Sequence, residues 1–315
     1  MLGQSCAQPL AQAHIPRVLS EAFDRLPNPF LFTALFGTML QTIPVVNNKG
    51  GVAKTTTSIN LSVGLARQGK RVLLIDLDSQ GSASLALGIP RAKLNPSTAD
   101  VLFGDASLNR SIRDLSIPNL DLLTGSLRLS NADTRLGSTE HREQHLKRIV
   151  DEVNDRYDVV IVDCAPSTSL LTINALVAAD GFIIPVSPSY LSLEGVISLG
   201  EVVHNVRQNM GEAAPVLGVL MTRVPKHDED AEAVIEQVRK HYGGKVFDTV
   251  IHKDPALESA PGHGESIYAY APDSQGAAEY EALTREVSDR LERYGEVYRT
   301  IQKNEKRRSA HASNS

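Results

Sequence analysis

The run that most constrains this chain is "NNKGGVAKTTTS", Asn47 to Ser58. It follows a short apolar strand signal, "TIPVV" (42–46), and it opens a helical pattern in which Ile59, Val63 and Ala66 recur on one face. Gly69 supplies a helix stop, and "RVLLID" (71–76) then reads as a buried strand. Strand, loop, helix, strand is the opening βαβ unit of a parallel sheet. A glycine-rich turn between strand and helix aims successive backbone N–H groups at one point, the helix N-terminus, where a phosphate binds. Two residues depart from a plain phosphate loop. Lys49 precedes the glycines, and Ala53 stands where the G-x-x-x-x-G-K-[ST] pattern has glycine.

Five further segments read as strands: "LDLLT" (120–124), "YDVVIVD" (157–163), "GFIIPV" (181–186), "VLGVLMT" (216–222) and "KVFDTVI" (245–251). Their apolar runs do not alternate, which marks strands buried on both faces. Helical patterns fill 139–154, 193–209, 229–241 and 276–298. The expected fold is therefore α/β and P-loop NTPase-like: a mostly parallel sheet with helices on both faces. One domain is expected over 39–298. Residues 1–38 read as an extension, too short for a core of their own, or as an upstream start-codon choice. The other reading is a docking segment that uses Phe30, Phe32 and Phe36. The stretch 299–315 is polar and basic and is expected to be disordered.

The chemistry-bearing residues cluster at strand ends. Lys54 is placed to reach the β- and γ-phosphates, and the Thr55 hydroxyl to ligate Mg²⁺. Asp76 and Asp78, in "LLIDLDSQG", are expected on the same side of their strand, where paired carboxylates call for a cation or an ordered water. Asp163 closes "YDVVIVD". In a parallel sheet such ends converge on one edge, where ligands bind. Lys54 and Thr55, Asp76 and Asp78, and Asp163 together describe a Mg-nucleotide site. With a net charge of −5, any DNA binding must come from a local basic patch. Two distant cysteines, Cys6 and Cys164, argue against a disulfide framework and suit a reducing cytosol. No segment is apolar for long enough to span a bilayer.

"KGGVAKTT", "DLDSQG", "VVIVDCAPS", "LTINALVAAD", "SLEGV" and "ESAPGHGESIYAYAPDSQGAAEY" resemble the deviant Walker-A ATPases of the ParA/Soj partition family, over residues 39–295. The resemblance implies that ATP and Mg²⁺ are the cofactors. It also implies that Lys49 crosses into a partner subunit, so that ATP joins two chains. Gly50, Gly51, Val52, Ala53, Lys54, Thr55 and Thr56 would cradle the nucleotide, with Thr56 at the α-phosphate. Lys49, Lys54 and Asp78 would be catalytic, Asp78 by polarising the attacking water. Thr55, Asp76 and Asp163 would serve the metal, the aspartates through water. Asp76 has a second possible role, steadying the loop.

The same resemblance implies an ATP-dependent homodimer on nonspecific double-stranded DNA of the nucleoid. A ParB-type centromere-binding partner would stimulate hydrolysis. Arg223, Lys226, His227 and Lys253 are the expected DNA contacts, with Arg290 and Arg293 next in line. His227 and Ala256 stand where the family often has arginine. The alternative within the superfamily is a MinD-like positioning ATPase for another cargo. A membrane version needs an amphipathic C-terminal helix, and "VYRTIQKNEKRRSAHASNS" is poor in bulky apolar residues. A reductase component with a shared metal cluster does not suit two cysteines, and a pure DNA-binding module leaves the nucleotide site without a use.

Overall fold

The computed structural model describes residues 40–188 and 214–312, with side chains as far as residue 293. The segments 1–38 and 193–209 and the run "SLEGV" lie outside the described residues. Eight strands form one sheet: β1 (Gln41–Val45), β2 (Val72–Leu77), β3 (Ile112–Asp114), β4 (Leu120–Leu123), β5 (Val159–Cys164), β6 (Phe182–Val186), β7 (Val216–Val224) and β8 (Val246–His252). Their order is β3-β4-β2-β5-β1-β6-β7-β8, and only the β3–β4 pair is antiparallel.

The unbroken apolar runs become strands with no exposed face. Every residue of β2 and of β5 is buried. Along β2, Leu73, Ile75 and Leu77 pack into one core cluster and Val72 and Leu74 into the other. That division is the two-sided burial of a parallel sheet. The longer helices are α1 (Lys54–Arg67), α2 (His145–Glu152), α3 (Leu170–Ala178), α4 (Glu229–Tyr242) and α5 (Gln275–Ala312). Residues of α2, α3 and α4 fill the first cluster, and those of α1 and α5 fill the second. α1 ends at Arg67, and Gly69 follows at φ +85°, the left-handed stop that glycine allows at least cost.

Three boundaries differ from the sequence reading. β3 was not foreseen, because three residues with one apolar side chain carry no readable pattern. α2 covers only the second half of 139–154, since "STEHREQ" lacks apolar periodicity. α5 runs on to Ala312, through most of a stretch expected to be disordered. "RTIQKNEKRRSAHA" contains no proline or glycine to stop a helix and is rich in helix formers.

α5 lies antiparallel to β8 and is pinned along it by hydrogen bonds. The Gly276 N–H donates to Asp254 Oδ2 at 2.8 Å, and the His252 N–H to Glu279 Oε2 at 2.8 Å. Further along, Glu286 accepts the N–H groups of Asp248 and Thr249 at 3.0 and 3.1 Å. Arg290 then closes the packing at the N-terminal ends of the strands. Its guanidinium donates to the carbonyls of Leu217, Lys245 and Val246 and stacks over the Phe247 ring at 4.0 Å. Arg290 is therefore a packing residue, not a surface cation, and it sits at the sheet end opposite the expected DNA patch.

Candidate nucleotide and nucleic-acid site

The loop that joins β1 to α1 is fixed at several points. Asn47 Nδ2 donates to the Pro185 carbonyl at 2.8 Å, and Asn47 Oδ1 accepts the Lys49 N–H at 2.9 Å. The Lys54 ammonium donates to the Lys49 carbonyl at 2.6 Å. Thr222 Oγ1, buried on β7, donates to the Val52 carbonyl at 3.0 Å. Gly51 adopts φ +74°, and Ala53, the N-cap of α1, adopts φ 61° and ψ 32°. Position 53 thus demands a left-handed backbone, at a cost for alanine of about 1–2 kcal/mol.

The residues present fit a Mg-nucleotide. The first turn of α1 holds no acidic side chain, and its N-cap makes no side-chain hydrogen bond, so its N–H groups and dipole suit an anion. A Cβ placed at Gly50 or Gly51 would meet nothing within 4 Å, so the loop is open on that side. Burial lowers the Lys54 pKa, although Asp163 and Asp78 pull it back up. Among the described residues no group of three or more His, Cys, Asp or Glu side chains forms a metal cage. Mg²⁺ bound through one or two protein oxygens plus phosphates and water needs none.

Asp76 and Asp163 are register partners on β2 and β5, and both are fully buried. Asp163 accepts the Thr55 hydroxyl at 2.9 Å and the Ser58 hydroxyl at 2.8 Å. Asp76 accepts the Ser84 N–H at 2.9 Å, the Ser84 hydroxyl at 2.6 Å and the Asp78 N–H at 3.1 Å. Desolvation pushes both pKa values up. The negative charge of Asp76 adds to the rise at Asp163, while the Ser84 bonds restrain it at Asp76.

Asp78 stays near Asp76, whose pKa its charge helps to raise, but it is not part of the strand. β2 ends at Leu77, so Asp78 stands in the turn beyond it and is half-buried. Its carboxylate accepts the Gln80 N–H at 3.0 Å and the Ser82 hydroxyl at 2.9 Å. Asp76 is tied to the loop backbone and Asp78 remains at the site edge. Gly125 packs against both, for a Cβ there would come within 2.6 Å of Asp76 Oδ1 and 2.5 Å of the Asp78 carbonyl.

Sequence reasoning missed Ser58, Ser84, Gly125 and Thr222. Ser58 follows Lys54 by four residues on α1, a helical spacing that could have revealed it. The other three reach the site across the fold and leave no local signal.

The expected DNA residues gather where β7 and β8 end. Arg223, Lys226, His227 and Lys253 are all exposed, and the Lys253 N–H donates to the Val224 carbonyl at 2.9 Å. Arg223 and His227 take left-handed backbones, φ 53° and 55°. Arg223 pairs with Glu258 at 3.4 Å, whereas Lys226 and Lys253 have no ion-pair partner among the described residues. Arg293 is exposed on α5, its Nε bonded to the Asp289 carbonyl, away from this group.

The sheet, the loop and the three strand-end aspartates define a P-loop nucleotide-binding protein. A family profile described as "AAA domain" matches residues 40–214. The sporulation initiation inhibitor protein Soj of Bacillus subtilis is 42% identical over 246 residues, which is 78% of this chain and 97% of that one. The chromosome-partitioning ATPase Soj of Treponema pallidum is 39% identical over 249 residues, covering 79% and 97% of the two chains. Among solved structures, a cobyrinic acid a,c-diamide synthase from Mycobacterium smegmatis with bound ADP and magnesium superposes with a TM-score of 0.69. It is 31% identical, over 78% of this chain and 93% of that one. The chain belongs to the ParA/Soj family of partition and positioning ATPases.

Proposed function

We propose that the protein is a DNA-partition ATPase whose grip on DNA is set by its nucleotide. Supporting this reading most directly is one hydrogen bond, from Thr222 to the Val52 carbonyl. Thr222 precedes Arg223, the first residue of the basic group, and Val52 lies in the phosphate loop. A shift of the loop on binding ATP therefore acts directly on the backbone that carries the patch.

In the reaction, ATP is hydrolysed to ADP and phosphate. The loop N–H groups and the Lys54 ammonium hold the phosphates, and Thr56 takes the α-phosphate. Thr55 and Asp163 would hold Mg²⁺, Asp163 through water. When bound, Mg²⁺ neutralises the charge that develops on the phosphoryl oxygens. Asp78, steadied by Gln80 and Ser82, retains free lone pairs on both oxygens and polarises the attacking water. Asp76 keeps the turn in place through the Asp78 N–H.

Lys49 is the residue that couples two chains. Its ammonium has no hydrogen-bond or ion-pair partner among the described residues, while its backbone is anchored on Asn47 and Lys54. A cation so presented suits the phosphates of a nucleotide held by a second copy, where it acts as an arginine finger does. The dimer doubles a patch too weak alone on a chain of charge −5. A centromere-binding protein of the ParB type fits as the stimulating partner, and the nucleoid as the place of work.

The test is a polarisation titration on unrelated duplexes, with and without ATP. ATP is expected to raise the affinity at least about ten-fold, by an increment that ignores sequence and weakens steeply with salt. Lys226→Glu with Lys253→Glu should lower the ATP-dependent affinity at least about ten-fold. Equal binding in both nucleotide states would break the proposed link. No binding at low salt would favour positioning of a cargo away from the nucleoid.

A further inference from the structure

The direction of α5 separates two basic regions of the chain. The helix starts beside Asp254, at the strand ends that carry the nucleotide loop and Lys253. It descends along β8 and passes the opposite sheet end at Arg290. It then continues to Ala312, a further ~33 Å at 1.5 Å per residue. The last segment leaves from the end of the domain remote from the patch.

That segment differs sharply in charge from the rest. Residues 299–312 carry Arg299, Lys303, Lys306, Arg307 and Arg308 against Glu305 alone, a net +4 in a chain of net −5. The remainder therefore holds −9. Lys303, Lys306 and Arg307 follow Arg299 by four, seven and eight residues, which places the four on one helix face. Compensation of the helix dipole accounts for cations in a last turn only, and Arg299 and Lys303 lie well before it.

We infer that the C-terminal end of α5 is a second binding site for double-stranded DNA, engaged without ATP and set at the far end of the domain from the Lys226–Lys253 patch. A K/R-rich helix face matches a phosphate backbone, which it meets by charge and without reading bases. An anionic membrane is the poorer match. Ile301 is the only bulky apolar residue in 299–312, whereas an interfacial helix needs an apolar face. Because the two basic regions lie at opposite ends of the helix that joins them, one molecule can hold two duplexes at once. The site does not rest on the partition reading, since it needs neither nucleotide nor the patch.

The test uses the full chain and a tail variant, Lys303→Glu, Lys306→Glu and Arg307→Glu, with the triple Gln variant as a helix-preserving control. A short mixed-sequence duplex is titrated without nucleotide and then with ATP. The parent is expected to bind without nucleotide. Both tail variants should lose at least about ten-fold of that affinity and flatten its salt slope by about three. They should keep the ATP-dependent increment, while the Lys226/Lys253 variant loses only that increment. An immobilised duplex with ATP and parent protein should capture a second, labelled duplex, and the tail variants should not. Nucleotide-free affinity unchanged by the tail substitutions overturns the site. So does tail-dependent binding to phosphatidylglycerol vesicles but not to duplex, which would assign the segment to a membrane. Absence of an ATP increment in the parent would count against the patch and leave the tail site standing.

Discussion

Asp76 and Asp163 face each other in register on neighbouring strands, yet they serve different masters. Asp163 holds the two hydroxyls of α1 that border the metal position, and Asp76 holds the backbone of the turn that carries Asp78. One buried pair of carboxylates thus fixes both halves of the site.

Asp78→Asn should leave ATP affinity within a few-fold and reduce turnover by at least about a hundred-fold. In the proposed role the group acts on the attacking water and not on the bound ground state. Asparagine keeps an acceptor for Ser82, so the turn survives. Turnover within a few-fold of the parent would transfer the water-polarising role to Asp76.

Lys49→Gln should retain nucleotide binding and abolish ATP-dependent dimerisation. Light scattering with a slowly hydrolysed ATP analogue reads the mass directly. A dimer of unchanged affinity would remove Lys49 from the proposed interface.

Ala53→Gly should tighten Mg-ATP binding by up to about ten-fold, because glycine takes φ 61° without the left-handed penalty of about 1–2 kcal/mol. Isothermal titration of both forms decides this. No gain would mean that the folded loop carries the penalty whether or not nucleotide is bound.

A control far from the site concerns Asp180. Asp180 is exposed, yet its carboxylate turns back to accept the Thr42 N–H at 2.8 Å, and partial desolvation raises its pKa from 3.8 to about 6. Its raised folded pKa gives stability that is full below about 4 and lost as the pH climbs through about 6. Asp180→Asn should therefore stabilise the fold above pH 6, by no more than about 1 kcal/mol because solvent screens an exposed residue, and change little near pH 4. Urea unfolding at the two pH values measures it, and an equal effect at both would point to lost packing rather than titration.

Much of this was legible in the sequence, and physics says which part. All seven strand segments read from apolar runs are strands, because burial on the sheet keeps each run mostly apolar even where Asp121 or Asp248 interrupts it. The loop was legible because a phosphate turn needs glycines, lysine and a hydroxyl at fixed spacing. Position 53 stood out as alanine in place of the pattern's glycine, and its φ is 61°. The turn position of Asp78 was not legible, because β2 stops one residue before it and the spacing alone does not mark a strand end. Ser84 and Gly125 were invisible because they meet Asp76 only through tertiary folding.

The carboxylates of α5 have one more consequence. β8 is the outermost strand of the sheet, and its outward amides at Asp248, Thr249 and His252 are all claimed by Glu286 and Glu279. A strand whose donors are occupied cannot template another chain by sheet extension. Self-association by sheet extension is closed along that rim, so among the described strands an open edge is to be sought only at β3 on the other side of the sheet.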